Sequence, residues 1–396
     1  MSGPLRIALI MQGSRNWIAG SEYIKNIILA LGNLPPEVHK TYEIYLLTSQ
    51  DLNSNLLVQI NPYVKKILNP KNEKNRLSIL KRFRKKIQKH LFGENSTRLD
   101  FFLENFHFDF VYPYFGSNPR KQSFRSAAWI PDFQHRYLPQ FFDLQELQKR
   151  DNLFRQIANH SSTIILSSKT SQSDFIKFFP QASQKSRVLH FRVFPINDWY
   201  AQDPRQIQLR YNLPERFYLI SNQFWQHKNH ITVFKALKFM QEKKITPNIV
   251  CTGHLHDYRQ ADYTDTILKT IHELNISKQV FLLGLIPKSE QIQLLRRSVG
   301  MIQPSLFEGW STVVEEAKLF GKPVILSDLT VNVEQNPPYS VFFKRNSFED
   351  LSEKLTNWWD RFPAGPDLNQ EKKSKNDYLK KVDFFAYTFL EIAKGE

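Results

Sequence analysis

Two carboxylates stand eight residues apart in SLFEGWSTVVEEAKLFGKPVIL, Ser305–Leu326. Glu308 falls in a loop that follows the apolar run MIQP, and Glu316 falls in the first turn of a short helix that leads to a further apolar strand. An ionised carboxylate offers about four lone-pair sites and donates nothing. Glu308 therefore suits the hydroxyls of a sugar, and Glu316 suits both hydroxyls of a ribose cis-diol. Thr312 with Glu315 fits a capping box, which predicts a helix beginning near Val313, and Gly321 fits its C-terminal stop. The amides of Ser311–Val314 then present the positive end of a helix, a receptor for phosphate. A bare pair of glutamates at this spacing is usually two exposed acids. The strand–loop–helix setting favours binding.

A second segment, SNQFWQHKNHITVFKAL, Ser221–Leu237, follows another strand. Asn229 is the expected N-cap, with Ile231, Phe234 and Leu237 on the buried stripe. Lys228 then stands at a helix entrance on the same sheet edge as Glu308, where an ammonium stabilises a diphosphate as a leaving group. A lone lysine in such a place is commonly just solvated. Two groups in the first half are candidates as well. Gly13, Gly20 and Ser21 form a loop running into a helix after the first strand. Asp132 and His135, in AAWIPDFQHRYLPQFF, come just after a strand; a lone histidine is more often structural than catalytic.

The elements that must position these groups are short apolar strands alternating with amphipathic segments. RIALIM, EIYLLT, FDFVYPY, SAAWIPD and TIILSS read as strands in the first half. FYLISNQ, PNIVCTG, VFLLG, VGMIQPS, VILSD and YSVFF read as strands in the second. This rhythm predicts parallel sheets covered on both faces. The fold class is α/β with two Rossmann-like domains, residues 1–200 and 201–375, and a C-terminal helix over 376–396 returning to the first domain. The boundary is expected in the Pro-, Asn- and Asp-rich stretch Phe194–Phe217.

Composition bounds the function. With 396 residues, 41% hydrophobic and 14% aromatic, the chain can bury two cores. A single cysteine, Cys251, excludes an intramolecular disulfide framework and fits a reducing cytosol. The start reads as a first strand, not a signal peptide, and no apolar run is long enough for a membrane span. The expected location is cytoplasmic. The net charge of +16 is concentrated in residues 1–200, which hold 28 Lys and Arg against 15 Asp and Glu. Lys71–His90 carries nine Lys and Arg against one Glu, with Leu77, Leu80, Phe83 and Ile87 at steps of three and four. That pattern describes a basic amphipathic helix, suited either to an anionic membrane surface or to plain solvation.

ISNQFWQHKNH, TGHLHDYR, FLLGLIPKSEQ and PSLFEGWSTVVEEAKLFGKPVILSD resemble, in order and spacing, the motifs of retaining glycosyltransferases of family four. The resemblance implies a GT-B fold, two Rossmann-like domains facing a central cleft, and an enzyme that takes a nucleotide-diphosphate sugar without a metal or other cofactor. It assigns Glu316 to the nucleotide ribose, Glu308 to the transferred sugar and Lys228 to the diphosphate. The amides of Gly309, Trp310, Ser311 and Thr312 would hold sugar and phosphate, and Gly284–Ile286 would contact the base. Gly13, Gly20 and Ser21 would cover the diphosphate, and Asp132 and His135 stand where relatives have the His-Asp pair near the sugar. The chain departs from the family where Arg often accompanies Lys. Asn222 lies six residues before Lys228 and His227 directly precedes it, so His227 is expected to share the charge compensation. The acceptor would be a hydroxyl of a glycan, a lipid-linked saccharide or a natural product. Two other readings stay open: a GT-B sugar epimerase or phosphorylase, and a non-enzymatic binder of anionic lipid or nucleic acid. No nucleic-acid module is recognisable.

Overall fold

The structure is a computed structural model that describes residues 3–13, 18–49, 52, 54–70, 98–116 and 123–396. The basic segment 71–90 lies outside the described residues. The chain forms two compact units: Met1–Pro131 with Lys149–Phe194 and Lys381–Glu396, and Asp132–Gln148 with Pro195–Lys380.

The first unit holds a seven-stranded parallel sheet. Its strands are β1 Leu5–Ile10, β2 Tyr42–Leu47, β3 Lys66–Leu68, β4 Phe110–Tyr112, β5 Arg125–Ile130, β6 Thr163–Leu166 and β7 Ser186–Val188. They run in the order β3-β2-β1-β4-β5-β6-β7, with Leu5 opposite Tyr42 and Ile7 opposite Phe110. The order reverses between β1 and β4, and Gly13, with φ of +100°, follows β1 at that point. The helix Ile18–Gly32 buries Tyr23, Ile24, Ile27, Ile28 and Leu31, a run at helical spacing. β3 and β7 were not legible in the sequence. Each has three residues and sits on a sheet edge, too short to show a period.

The second unit holds a six-stranded parallel sheet of β8 Tyr218–Ser221, β9 Ile249–Thr252, β10 Val280–Gly284, β11 Gly300–Gln303, β12 Val324–Ser327 and β13 Ser340–Phe343. The order is β10-β9-β8-β11-β12-β13. The chain winds outward from β8 through β9 to β10, then returns to lay β11 beside β8. The carboxyl ends of β8 and β11 therefore flank the topological switch point, where ligands of open α/β sheets bind. The core below it includes Tyr218, Ile220, Phe234, Leu237, Ile302 and Ile325, all fully buried.

Arg296, at the end of the helix Lys288–Arg297, is 1% exposed, and each of its three side-chain nitrogens donates a hydrogen bond. Its Nε and Nη2 reach Glu371 Oε1 and Oε2 at 2.9 Å each, and its Nη1 donates to the carbonyls of Trp199 and Gln202 and to Gln293. This one side chain ties Pro195–Phe217 to the helix Leu368–Lys394. That helix spends its last residues in the first unit, where Phe389 packs edge-on against Phe110 and Tyr112.

Candidate functional site

The loop after β8 is fixed by its neighbours before any ligand is considered. Phe224 N donates to the His254 carbonyl at 3.0 Å, and Gln226 N donates to Asp257 Oδ2 at 3.1 Å. Gly253 makes this approach possible: its φ is +136°, and a Cβ there would stand 2.1 Å from the Asn222 carbonyl oxygen. The same loop is joined to the loop after β11, because Leu306 N donates to the His227 carbonyl at 2.8 Å. Asn229 is at the N-cap of the helix His230–Glu242 as expected, but in the left-handed conformation and with no capping bond. Its side chain instead donates to the carbonyls of Pro304 and Arg345 at 3.1 and 3.2 Å and accepts from Thr232. The buried stripe of that helix is His230, Val233, Phe234, Leu237 and Met240; Ile231 packs only at its margin.

This scaffold brings Lys228 and Glu308 together. Lys228 Nζ donates to Glu308 Oε1 at 2.6 Å, with the two side chains only 15% and 9% exposed. Gln303, the last residue of β11 and fully buried, organises the pair. Its Nε2 donates to Glu308 Oε1 at 2.7 Å and to Ser311 Oγ at 3.0 Å, while its Oε1 accepts from Asn222 Nδ2 at 2.7 Å. Asn222 is thereby linked to Glu308 through Gln303. Gln303 itself escaped sequence reasoning, since a polar residue at the end of an apolar run reads as a strand terminus. The helix Thr312–Phe320 starts one residue earlier than expected, with Ser311 at its N-cap and Gly321, φ +60°, at its stop. The capping box does not form. Glu315 points inward, where it accepts from Lys318 at 3.0 Å, Gln335 at 2.8 Å and Tyr378 at 2.6 Å. One helical step on, Glu316 turns to the other side. Its Oε1 accepts from Lys288 Nζ, and its Oε2 accepts from Gln291 Nε2 at 2.9 Å. Lys288 and Gln291 lie in the quoted FLLGLIPKSEQ, yet nothing in one sequence ties them to a residue 28 and 25 positions downstream.

His227 does not supply the charge expected of it. Burial, with the nearby positive charges of Lys228 and Arg259, pushes its imidazole well below the ordinary range, so it is neutral. Arg259 Nη2 lies 3.2 Å from His227 Nδ1. A guanidinium only donates, so Nδ1 accepts and the proton sits on Nε2. Arg259 also stacks over Trp225 and Phe142 and donates to Gln134 at 3.3 Å. Of the remaining candidates, Asp132 accepts from Gln134 N at 2.8 Å, a turn-forming bond, and His135 is 1% exposed. Tyr137 stacks on Phe307, next to Glu308, with centroids 5.6 Å apart. Gly309 is buried, while Trp310, Thr312 and Ile286 are partly exposed. Gly284, φ +68°, has open space where a Cβ would stand. In the first unit, Gly20 is buried and Ser21 half-buried at the start of its helix.

His230, beneath Lys228, is fully buried and stacked on Phe224 with centroids 4.2 Å apart; neither ring nitrogen has a hydrogen-bond partner. Burial and then the Lys228 charge depress its pKa to about 3. The unfolded chain takes up a proton at this residue below about pH 6.5 that the native chain refuses. Stability is thus fully present above pH 6.5 and falls towards pH 3, by about 1.4 kcal/mol per unit for such a group. Denaturant titrations from pH 7 to 4 should show a shallower acid decline in His230→Leu; an unchanged slope would refute the assignment.

Comparison with known proteins adds the following. No curated protein matches the sequence. HepE of Anabaena, solved with UDP and glucose, is 16% identical, with 99% of this chain and 100% of that chain covered and a TM-score of 0.65. A glycosyltransferase of Rickettsia africae is 14% identical, covering 99% and 98%, with a TM-score of 0.64. Sucrose-phosphate synthase of Thermosynechococcus elongatus is 13% identical, covering 99% and 98%, with a TM-score of 0.63. The chain has the GT-B fold, and its residues 203–372 match the family model described as glycosyl transferases group 1.

Proposed function

We propose that the protein is a retaining glycosyltransferase that moves a sugar, a hexose in the first instance, from a nucleotide-diphosphate donor to an acceptor hydroxyl. The observation that carries this reading is the Lys228–Glu308 pair, held by Gln303 at the switch point of the second sheet, with Glu316 in the helix that follows. The group 1 match over the same residues supports it, as do the neighbours solved with UDP and UDP-glucose.

In this reading Lys228 offsets the diphosphate charge as the anomeric bond breaks, and the N-terminal amides of the helix Thr312–Phe320 receive its oxygens. Glu308 accepts from the sugar hydroxyls and faces the oxocarbenium charge. The acceptor hydroxyl attacks on the face the phosphate leaves, the departing oxygen takes its proton, and the configuration is kept. No metal enters the scheme. Asp132 and His135 serve as positioning groups of the segment that carries Tyr137. A glycan, a lipid-linked saccharide or a natural product supplies the hydroxyl, and an enzyme working at the inner membrane face would use 71–90 as its basic anchor. Among the described residues no helix is long and apolar enough to cross a membrane.

Thermal shift with UDP-, GDP-, ADP- and dTDP-sugars tests the donor. Saturating ligand at one hundred times its Kd stabilises by about 2.7 kcal/mol. One nucleotide series should therefore raise the melting midpoint clearly, and Glu316→Gln should abolish the rise. Silence from all four series would end this reading.

A further inference from the structure

Lys288 holds one oxygen of Glu316, the carboxylate read above as the ribose acceptor, and Gln291 holds the other. The three side chains close on one another, since Lys288 Nζ also donates to Gln291 Oε1 at 3.1 Å. Glu316 is 1% exposed and Lys288 32% exposed, so the ammonium forms the solvent-facing cover of the carboxylate. A ribose diol that reaches Glu316 competes with Lys288 and Gln291 for its acceptor sites.

The charges around the site say where the released ammonium is needed. Lys228 is already paired with Glu308, Arg259 lies 3.3 Å from Asp257, and His227 is neutral. Asn222, which carries no charge, is committed to Gln303. A diphosphate carries more negative charge than Lys228 offsets. Lys288 is the cation whose place on Glu316 the donor's own hydroxyls can take, and in any nucleotide the α-phosphate is attached directly to the ribose.

We infer that Lys288 is a donor-binding residue that exchanges partners: the ribose diol takes its place on Glu316, and the ammonium passes to the phosphate next to that ribose. This rests on the proposed function and adds a selectivity to it. A nucleoside without phosphate pays for displacing Lys288 and gains nothing in return, whereas a nucleoside diphosphate gains a charge-assisted contact. Lys288 thereby discriminates against nucleosides and sets a second cation beside Lys228.

The test is calorimetric titration of wild type, Lys288→Met and Lys288→Arg with UDP, GDP, ADP and dTDP and with the four matching nucleosides. Lys288→Met should bind the preferred diphosphate at least about tenfold more weakly, and the nucleoside more tightly than wild type does. Lys288→Arg should keep diphosphate binding within a few-fold. Tighter binding of both ligands by Lys288→Met would reduce Lys288 to a passive cover, and unchanged or uniformly weakened binding would make it a mere support for Glu316. Either result overturns the exchange. If no diphosphate binds wild type, the donor assignment falls and takes this inference with it; wild-type binding that Lys288→Met retains in full defeats the inference alone.

Discussion

Glu308→Gln and Lys228→Ala should each lower turnover at least about 100-fold in a chain that still folds cooperatively. The magnitude is that of one preorganised charge aimed at a transition state in a water-poor site. The two side chains are held 2.6 Å apart by residues at the ends of two central strands, so neither has to be gathered when the reaction starts. Glu308→Gln keeps the shape and the contact with Gln303 and removes only the negative charge facing the sugar. Lys228→Ala removes the positive charge facing the leaving group and leaves Glu308 with Gln303 alone. Because both losses fall on the chemical step, kcat should drop more than KM rises. Initial rates on purified variants with the donor found by thermal shift decide the matter, and near-normal transfer by either variant would refute the assignment.

Removing one partner of the Arg296–Glu371 pair should cost about 3–5 kcal/mol of stability, because a buried charge is left without its counter-ion. The pair is bidentate at 2.9 Å and almost wholly buried, and the same guanidinium holds the carbonyls of Trp199 and Gln202. Glu371→Gln should therefore lower the denaturant midpoint sharply without touching donor specificity. The double variant Arg296→Met with Glu371→Leu should recover part of the loss, since paired removal strands no charge. The recovery will be incomplete, because the two carbonyls lose their donor. Equal stability of Glu371→Gln and wild type in urea titrations would show that the pair contributes nothing.

The central strands were legible because a strand buried on both faces is a short apolar run, and eleven such runs alternate with amphipathic segments in the sequence. The edge strands β3 and β7 were not, since three residues carry no period and Lys66 and Arg187 break the run. The site divides along the same line. Lys228 and Glu308 could be set on one sheet edge by counting, but Gln303, which holds them, is recognisable only from its contacts. Glu315 and Glu316 are two adjacent letters of one type. A helix turns about 100° per residue, so one meets Lys318 and Tyr378 and the other Lys288 and Gln291. The capping box failed for this reason: its glutamate had stronger partners inside. His227 was given a charge that its burial removes.

The shared C-terminal helix bears on how the molecule is assembled during synthesis. Phe385 and Phe389 complete the aromatic packing around Phe191, Phe110 and Tyr112, yet they are synthesised long after the residues they cover. β4 thus waits for residues 381–396 before its aromatic cover closes, and a nascent chain stopped short of residue 381 would expose that surface to chaperones and proteases.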